Sequence, residues 1–339
     1  MAVLDVIDEC YSNIDNKEIV VGIFFDLQKA FDTVNHNILV IKLQYYGIRG
    51  LMLEWLQSYL SMRQQFTIVN GVRSSLKVND CGVPQGSVLG PLLFLLYIND
   101  LPSCVPEAKL KLFADDTNLF LADTNLTRLE YTANICLKNM EQWFIANKLS
   151  LNVDKTYYSI FCGRKLFDVN RSLNLFMCNQ RLSRVSSCKF LGIVIDEKLT
   201  WSLHVNHIKT KIFKFIGIFY KIRSWIPVEC LKMLYFSFIY PHLLYGIEIY
   251  ANCSHTTLQS LHVLNNRILR VLLNKPVRSP VNELYINFDT LPLHLLFEKQ
   301  VLIFVHKCLF NNQVLPEIFH NYFNRRYMIH EHNTRKNQI

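Results

Sequence analysis

Two acidic positions stand where chemistry could use them. Asp26 closes an apolar run, EIVVGIFFD over residues 18–26, and Asp115 and Asp116 lie side by side between two further apolar runs. The β-branched and aromatic residues before Asp26 predict a buried strand. The runs at 109–113 and 117–122 predict a hairpin with the acidic pair in its turn. Adjacent carboxylates repel each other and favour a cation or solvent beside them. If the strands are neighbours in one sheet, Asp26 and Asp115 meet at one edge. Hard oxygen ligands with open water positions suit Mg²⁺, which also bridges substrate phosphates. Two such ions roughly 3.5–4 Å apart would clamp the attacking and leaving oxygens of a phosphoryl transfer. Each feature alone is ordinary, because Asp-Asp pairs are common in turns.

The elements around these acids follow from pattern and punctuation. A helix is expected over residues 3–15, and helical spacing recurs at 37–46 and 50–61. Asn70-Gly71 between the runs 65–69 and 74–79 is a strong hairpin signal. The stretch 84–90, broken by Gly and Pro, opens a helix over about residues 88–101. A long amphipathic helix fits 126–147. Strands are expected at 156–162, 172–177 and 189–195. From residue 200 the spacing is helical, at 204–225, 228–240 and 256–273. No internal repeat or low-complexity segment is present.

Composition narrows the classes. Of 339 residues, 50% are hydrophobic and 19% charged, which excludes an intrinsically disordered chain. The net charge of +9 is unevenly spread. Residues 1–160 hold 13 Lys/Arg against 17 Asp/Glu, and residues 161–339 hold 23 against 10. An acidic half can collect cations and a basic half can hold polyphosphate. Ten Cys stand singly without a CxxC pair, which suits a reducing compartment and argues against a zinc ribbon. The N-terminus lacks the basic start and apolar run of a secretory signal. The longest apolar stretch, residues 88–98, is too short to span a bilayer. Asn125-Leu126-Thr127 and Asn252-Cys253-Ser254 are read as a helix cap and chance rather than glycosylation sites. An intracellular location, nucleus and/or cytoplasm, is expected, with no membrane partner.

Five strings occur in order: FFDLQKAFDTVNH (24–36), GVPQGSVLGPLLFLLYINDLP (82–102), FADDTNLF (113–120), LSLNVDKT (149–156) and FLGIVID (190–196). Together they resemble the reverse transcriptases (RNA-directed DNA polymerases) of non-LTR retrotransposons of the jockey-like type, over roughly residues 7–276. The resemblance implies an α+β fold. A right-hand polymerase palm, an antiparallel sheet of split βαββαβ type with helices on one face, would be followed by an all-α thumb. The expected division is a palm with residual fingers elements over 1–199, a thumb over 200–280 and a helical extension and tail over 281–339.

By position, the resemblance implies Asp26, Asp115 and Asp116 as metal-binding catalytic carboxylates for two Mg²⁺ ions, with Mn²⁺ as a substitute and no further small-molecule cofactor. Phe31 matches the aromatic under the incoming sugar that rejects a 2′-hydroxyl. Gln85, Gly86 and Ser87 match the loop that positions template and nucleotide. Lys155 matches a lysine near the triphosphate, able to neutralise or protonate departing pyrophosphate; a solvated surface lysine is the plain alternative. Phe190, Leu191 and Gly192 match the hairpin that grips the primer end. Lys209, Lys211, Lys214, Lys221 and Arg223 lie on one basic helix suited to phosphate contacts with template and primer. His204 and His207 on that helix are read as structural or phosphate-facing, and Arg267, Arg270, Lys275 and Arg278 form a second basic cluster. The expected partners are an RNA template, a DNA primer and dNTPs. The family carries an endonuclease domain and fingers before the strand that ends at Asp26, so the expectation is an N-terminally truncated member. Two rival readings are an inactive fragment that binds nucleic acid and a scaffold that reuses the fold. The tail 324–339 has no readable role.

Overall fold

Ile19–Phe25 is the strand at the centre of the main sheet, and all seven of its residues are buried. The computed structural model describes residues 1–163, 172–320 and 322–323, so the tail 324–339 lies outside the described residues. Along the chain, α1 (Ala2–Asp15) precedes this strand, β1, and α2 (His36–Tyr45) and α3 (Leu51–Leu60) follow it. Four short strands come next, β2 (Arg63–Gln65), β3 (Ile68–Val69), β4 (Val72–Arg73) and β5 (Lys77–Asn79). Then come α4 (Leu89–Ile98), β6 (Lys109–Phe113), β7 (Asp116–Asp123), α5 (Leu126–Ala146) and β8 (Tyr157–Phe161). The last strands are β9 (Phe176–Met177), β10 (Gln180–Arg181), β11 (Ser183–Arg184), β12 (Ser187–Phe190) and β13 (Ile193–Asp196). Helices follow: α6 (Ser202–Ile222), α7 (Val228–Phe238), α8 (Tyr240–Leu244), α9 (Ile247–Tyr250), α10 (His255–Leu272), α11 (Val281–Phe288) and α12 (Leu293–Phe310). The chain divides into two compact units, residues 10–187, and residues 188 onward together with residues 1–9. Among the described residues, no helix is long and apolar enough to cross a membrane.

In the first unit the strand order is β11-β8-β1-β7-β6. The succession β1, helices, β6–β7, α5, β8 is the expected βαββαβ pattern. The sheet departs from a wholly antiparallel one at its edge, where β11 runs parallel to β8. Ile19, Val21, Ile23 and Phe25 share one core with α2 to α5 residues such as Leu39, Leu56, Phe94 and Met140. The opposite face of β1 is aromatic: Phe24 meets Phe120 edge-on at 5.9 Å and stacks on Tyr157 at 5.5 Å. Local chemistry sets the boundaries. Asn35 caps α2 by accepting from Ile38 N–H at 3.1 Å. Asn125, one of the two glycosylation-pattern residues, caps α5 by accepting from Thr127 and Arg128 N–H at 2.9 and 3.2 Å. Asn70 and Gly71 have φ of 50° and 80° and turn β3 into β4, as their sequence predicts.

Two expected strands come out differently. The run 172–177 is a strand only at Phe176–Met177. Leu173 and Leu175 are buried, but side chains take much of the local backbone pairing. The Tyr158 hydroxyl bonds both Leu173 N–H and C=O at 2.9 Å, and Asn134 donates to Asn174 O at 2.9 Å. The run 189–195 is a hairpin: β12 and β13 pair through a turn at Leu191-Gly192, whose φ values are 45° and 85°. The ten Cys are thiols, with no disulfide between them.

In the second unit Asp196 ends β13 and sets the path into α6. Its carboxylate accepts from the N–H groups of Lys198 (3.2 Å), Thr200 (3.0 Å) and Trp201 (3.0 Å). Asp196 is 8% exposed, so its carboxylate has little water to turn to in place of these donors. Asp196→Ala should therefore lower unfolding stability by about 2–4 kcal/mol in urea titration. A loss within error would show that the hairpin-to-helix junction does not depend on this cap.

Candidate active site

The β1–β7 register decides where the carboxylates meet. Phe25 faces Thr117, and on the other side of β7 Asp116 faces Phe113. Asp26 is the next residue of its chain and therefore stands across from Asp116. Strand alternation puts Asp26 and Asp116 on the face that carries Phe24 and Asn118. The structure corrects one expectation here. The two-residue turn is Ala114-Asp115, with Ala114 at φ 53°, and Asp116 is the first residue of β7. Asp116 keeps its ladder pairing with Phe113, which leaves only Asp115 free to project from the tip.

The three acids sense one another. Partial desolvation at the strand end, then repulsion from Asp115 and from Asp26, lift the Asp116 carboxyl above the ordinary aspartate value. Behind it on the same face the Asn118 side-chain amide is buried without a hydrogen-bond partner. Among the described residues, no three His, Cys, Asp or Glu side chains form a closed metal cage. The donor set nevertheless fits Mg²⁺, which keeps several waters and is usually bound by one or two carboxylates plus substrate phosphates. Exposed carboxylates with mutual repulsion are what such an ion neutralises.

Lys155 is brought to this edge by backbone. Asn152 N–H donates to Asp26 O at 2.8 Å, and Gln28 N–H donates to Ser150 O at 2.8 Å. Thr156 Oγ1 donates to Asn152 O at 2.9 Å and accepts from Asp26 N–H at 3.4 Å. The segment after β1 and the turn before β8 are thus laced together, and Lys155 Nζ lies 4.0 Å from Asp26 Oδ2. Both side chains are largely open to solvent, so the pair adds little stability. What matters is where the ammonium stands.

The segment 82–90 is built onto the residues after Asp26. Phe31 O accepts from Val83 N–H at 2.8 Å, and the half-buried Phe31 ring packs on Phe94 at 4.7 Å. Gly82 has φ +79°, and a Cβ there would stand 2.7 Å from Asp32 O, so only glycine fits. Arg63 and His36 fix the Gly82 carbonyl at 2.6 and 2.8 Å. Gln85 Nε2 donates to Asp32 Oδ1 at 2.8 Å, which steadies an otherwise exposed side chain. Gly86 is exposed with φ +80°. The Ser87 hydroxyl donates to Pro84 O at 2.7 Å and accepts from Gly90 N–H at 3.0 Å, so it shapes the loop and the start of α4. Sequence reasoning passed over Asp32, Asn118, Asn152 and Thr156. All four lie inside the quoted strings, but their roles are backbone and second-partner roles that spacing does not reveal.

The remaining expected residues belong to the second unit. Phe190 is 2% exposed, so its ring is core, while Leu191 and Gly192 are half-buried at the turn. Tyr245 Oη donates to Leu191 O at 2.5 Å and holds that turn. The α6 cations do not share one face. At ~100° per residue, Lys209 and Lys211 flank the buried stripe on its two sides, and Lys214 and Lys221 lie on the exposed face opposite it. Arg223 stacks on the Tyr220 ring at 4.2 Å. In the second basic cluster, Arg270 donates to Ser279 O at 3.2 Å and is in part structural.

A raised carboxyl pKa in the fold is a destabilising contribution wherever the group is ionised. It acts fully at neutral pH, fades as pH falls through the raised value and is gone below the ordinary aspartate value. Asp116→Asn should therefore unfold at a higher temperature than wild type at pH 7 in metal-free buffer. The gap should close toward about pH 4. Thermal circular dichroism measures it, and equal midpoints at pH 7 would deny the repulsion.

Comparison with known proteins gives the site a context. The family described as reverse transcriptase (RNA-dependent DNA polymerase) matches residues 5–195. The RNA-directed DNA polymerase from mobile element jockey of Drosophila melanogaster is 29% identical over 282 residues, covering 80% of this chain and 30% of that protein. The probable RNA-directed DNA polymerase from transposon BS of the same species is 28% identical, covering 77% and 30%. The chain thus spans about 30% of the length of these curated relatives. Among solved structures, telomerase from Candida albicans in complex with a TWJ fragment of telomeric RNA aligns at 14% identity. Its TM-score is 0.42 over 84% of this chain and 43% of that one, too low a likeness to carry weight. Matched over more than half its length, and with Asp26, Asp115 and Asp116 gathered at one sheet edge, the chain belongs to the reverse transcriptase (RNA-dependent DNA polymerase) family.

Proposed function

We propose that this chain is the polymerising part of a non-LTR retrotransposon reverse transcriptase, extending a DNA 3′-hydroxyl with deoxynucleotides on an RNA template. The observation that carries this reading is the meeting of Asp26, Asp115 and Asp116 beside a backbone-docked Lys155. In this reading residues 1–199 act as palm, 200–280 as thumb, and the remainder as a helical extension. The work is done inside the cell, in the nucleus and/or cytoplasm.

Asp26, Asp115 and Asp116 would hold two Mg²⁺, or Mn²⁺ in their place. Bound there, divalent ions supply charge to the attacking 3′-oxygen and to the triphosphate. Asp116 is held by its β6–β7 ladder pair with Phe113 and Asp26 directly follows the last β1–β7 pair, while Asp115 at the tip has more freedom to adjust. Lys155 donates a proton, or its charge, to the leaving pyrophosphate from a position set by Asn152 and Thr156. Phe31, braced by Phe94, presents a flat ring under the sugar and leaves no room for a 2′-hydroxyl. Gln85, steadied by Asp32, offers an amide donor and acceptor to the template–nucleotide pair, and Gly86 allows close backbone approach. Ser87 keeps that loop in shape. The Leu191-Gly192 turn meets the primer end through its backbone, since the Phe190 side chain is buried. Lys209, Lys211, Lys214, Lys221 and Arg223 meet backbone phosphates without reading sequence.

Purified chain given poly(rA)–oligo(dT), dTTP and Mg²⁺ should lengthen the primer. Asp115→Ala with Asp116→Ala should cut extension by about a thousandfold, near 4 kcal/mol of transition-state stabilisation. No extension by wild type, or equal extension by the double variant, would overturn the reading. Salt-dependent binding without extension would mark an inactive nucleic-acid-binding fragment, and absence of both a scaffold.

A further inference from the structure

Between the β12–β13 turn, α6 and α8 lies a cavity of about 430 Å³ lined by His204, His207, Lys211, His242 and Tyr245 together with the turn residues. His204 is 3% exposed, and its Nδ1 accepts from Val194 N–H at 3.2 Å. That acceptor role assigns the ring proton to Nε2. Nε2 is buried and has no hydrogen-bond partner. The His207 ring stands 6.4 Å from that of His204, and its own Nε2 is likewise buried and unpartnered. A buried N–H without an acceptor is costly and calls for an explanation.

The charges around these rings are of one sign. Burial, then His207 and Lys211, push His204 down to about 4. Burial, then Lys211, Lys189 and His242, lower His207. Burial, then Lys211 and Lys214, lower His242. The groups facing the rings are thus Lys189 from β12, Lys211 and Lys214 from α6, His242 from α8 and Tyr250, whose ring meets His204 edge-on at 5.2 Å. No carboxylate is among the groups whose charge shifts the three imidazoles. A metal ion suits the cluster poorly. The Nδ1 lone pair of His204 is taken by a backbone donor, its Nε2 offers a proton, and a lysine stands beside it.

We propose that this pocket receives a single phosphate group. Its oxygens would accept from His204 Nε2–H and from His207, His242 and Lys211, which supply the partners the buried donors lack. The proposal rests on the nucleic-acid reading above only for the source of the phosphate. A backbone phosphodiester is the favoured source, because the pocket opens beside the Leu191-Gly192 turn. Free phosphate or pyrophosphate shares the chemistry. An anion stabilises the imidazolium forms, so binding takes up protons and tightens as pH falls.

The test uses the full chain and the double variant His207→Gln/His242→Gln, with His204 left intact for the fold. Binding to a short RNA–DNA duplex, read by fluorescence anisotropy, should weaken by about tenfold in the variant, with the log–log salt slope shallower by about one phosphate. The gain on lowering pH from 8 to 6 should shrink, and one methylphosphonate position in the primer strand should weaken wild type but not the variant. If duplex affinity is unchanged yet inorganic phosphate or pyrophosphate shifts the wild-type imidazole resonances, the pocket holds a free anion and the proposal stands with that source. Equal duplex binding together with unmoved imidazole resonances would overturn it. A wild-type chain that binds no duplex counts against the nucleic-acid reading, and the anion titration alone then decides the pocket.

Discussion

Three carboxylates crowd one end of the β1–β7 pair, and their mutual repulsion is the interaction around which the first unit is organised. Repulsion of this kind disfavours the fold at neutral pH unless a cation or solvent screens it. The Asp116 carboxyl is lifted first by partial desolvation and then by this repulsion from Asp115 and Asp26. A structure that tolerates such a contact must hold the acids in place by other means, and it does so by burying what lies behind them. All seven residues of β1 are buried, with an aliphatic core on one face and the Phe24–Phe120–Tyr157 rings on the other. Asp26 therefore cannot retreat along its strand, and Asp116 is tied by its ladder pair with Phe113 of β6.

The rest of the first unit attaches to that end through backbone hydrogen bonds more than through side chains. Asn152, Thr156 and Ser150 bind the chain around Asp26 and set Lys155 beside it. Val83 binds Phe31, and Gly82 lies where no other residue could pass Asp32. A site assembled this way depends on the path of the main chain. Exposed members such as Gln85 and Lys155 owe their positions to neighbours with no chemical role of their own. The second unit repeats the device on a smaller scale, with Asp196 fixing the start of α6 and Tyr245 fixing the Leu191-Gly192 turn.

What was legible in the sequence was whatever follows from local pattern. The strand before Asp26 shows as an unbroken β-branched and aromatic run, Asn70-Gly71 as a turn demanding positive φ, and Asn125 as a cap. The five ordered strings expose the family because catalytic geometry fixes residue types at fixed spacing. Non-local partners stayed hidden. The run 172–177 looks like a strand because its leucines are buried, but its backbone bonds to Tyr158 and Asn134, which no window of sequence joins to it. The run 189–195 hides a hairpin, since a Leu-Gly turn is a weak signal. Asp116 was placed in the turn because the pair reads as a unit, whereas the ladder begins between its two members. The orphan nitrogens of His204 and His207 are visible only once β13 supplies a donor to one ring.

The Asp26–Asp115–Asp116 edge is proposed as a divalent-cation site that its own repulsion holds ready. The direct measurement is a titration of the chain with Mn²⁺, followed by loss of the free-ion electron paramagnetic resonance signal, for wild type and Asp26→Asn. Wild type should bind Mn²⁺ more tightly than the variant by about tenfold or more, with Mg²⁺ competing for the same site. Equal affinity in the two proteins, or Mn²⁺ that Mg²⁺ does not displace, would contradict it.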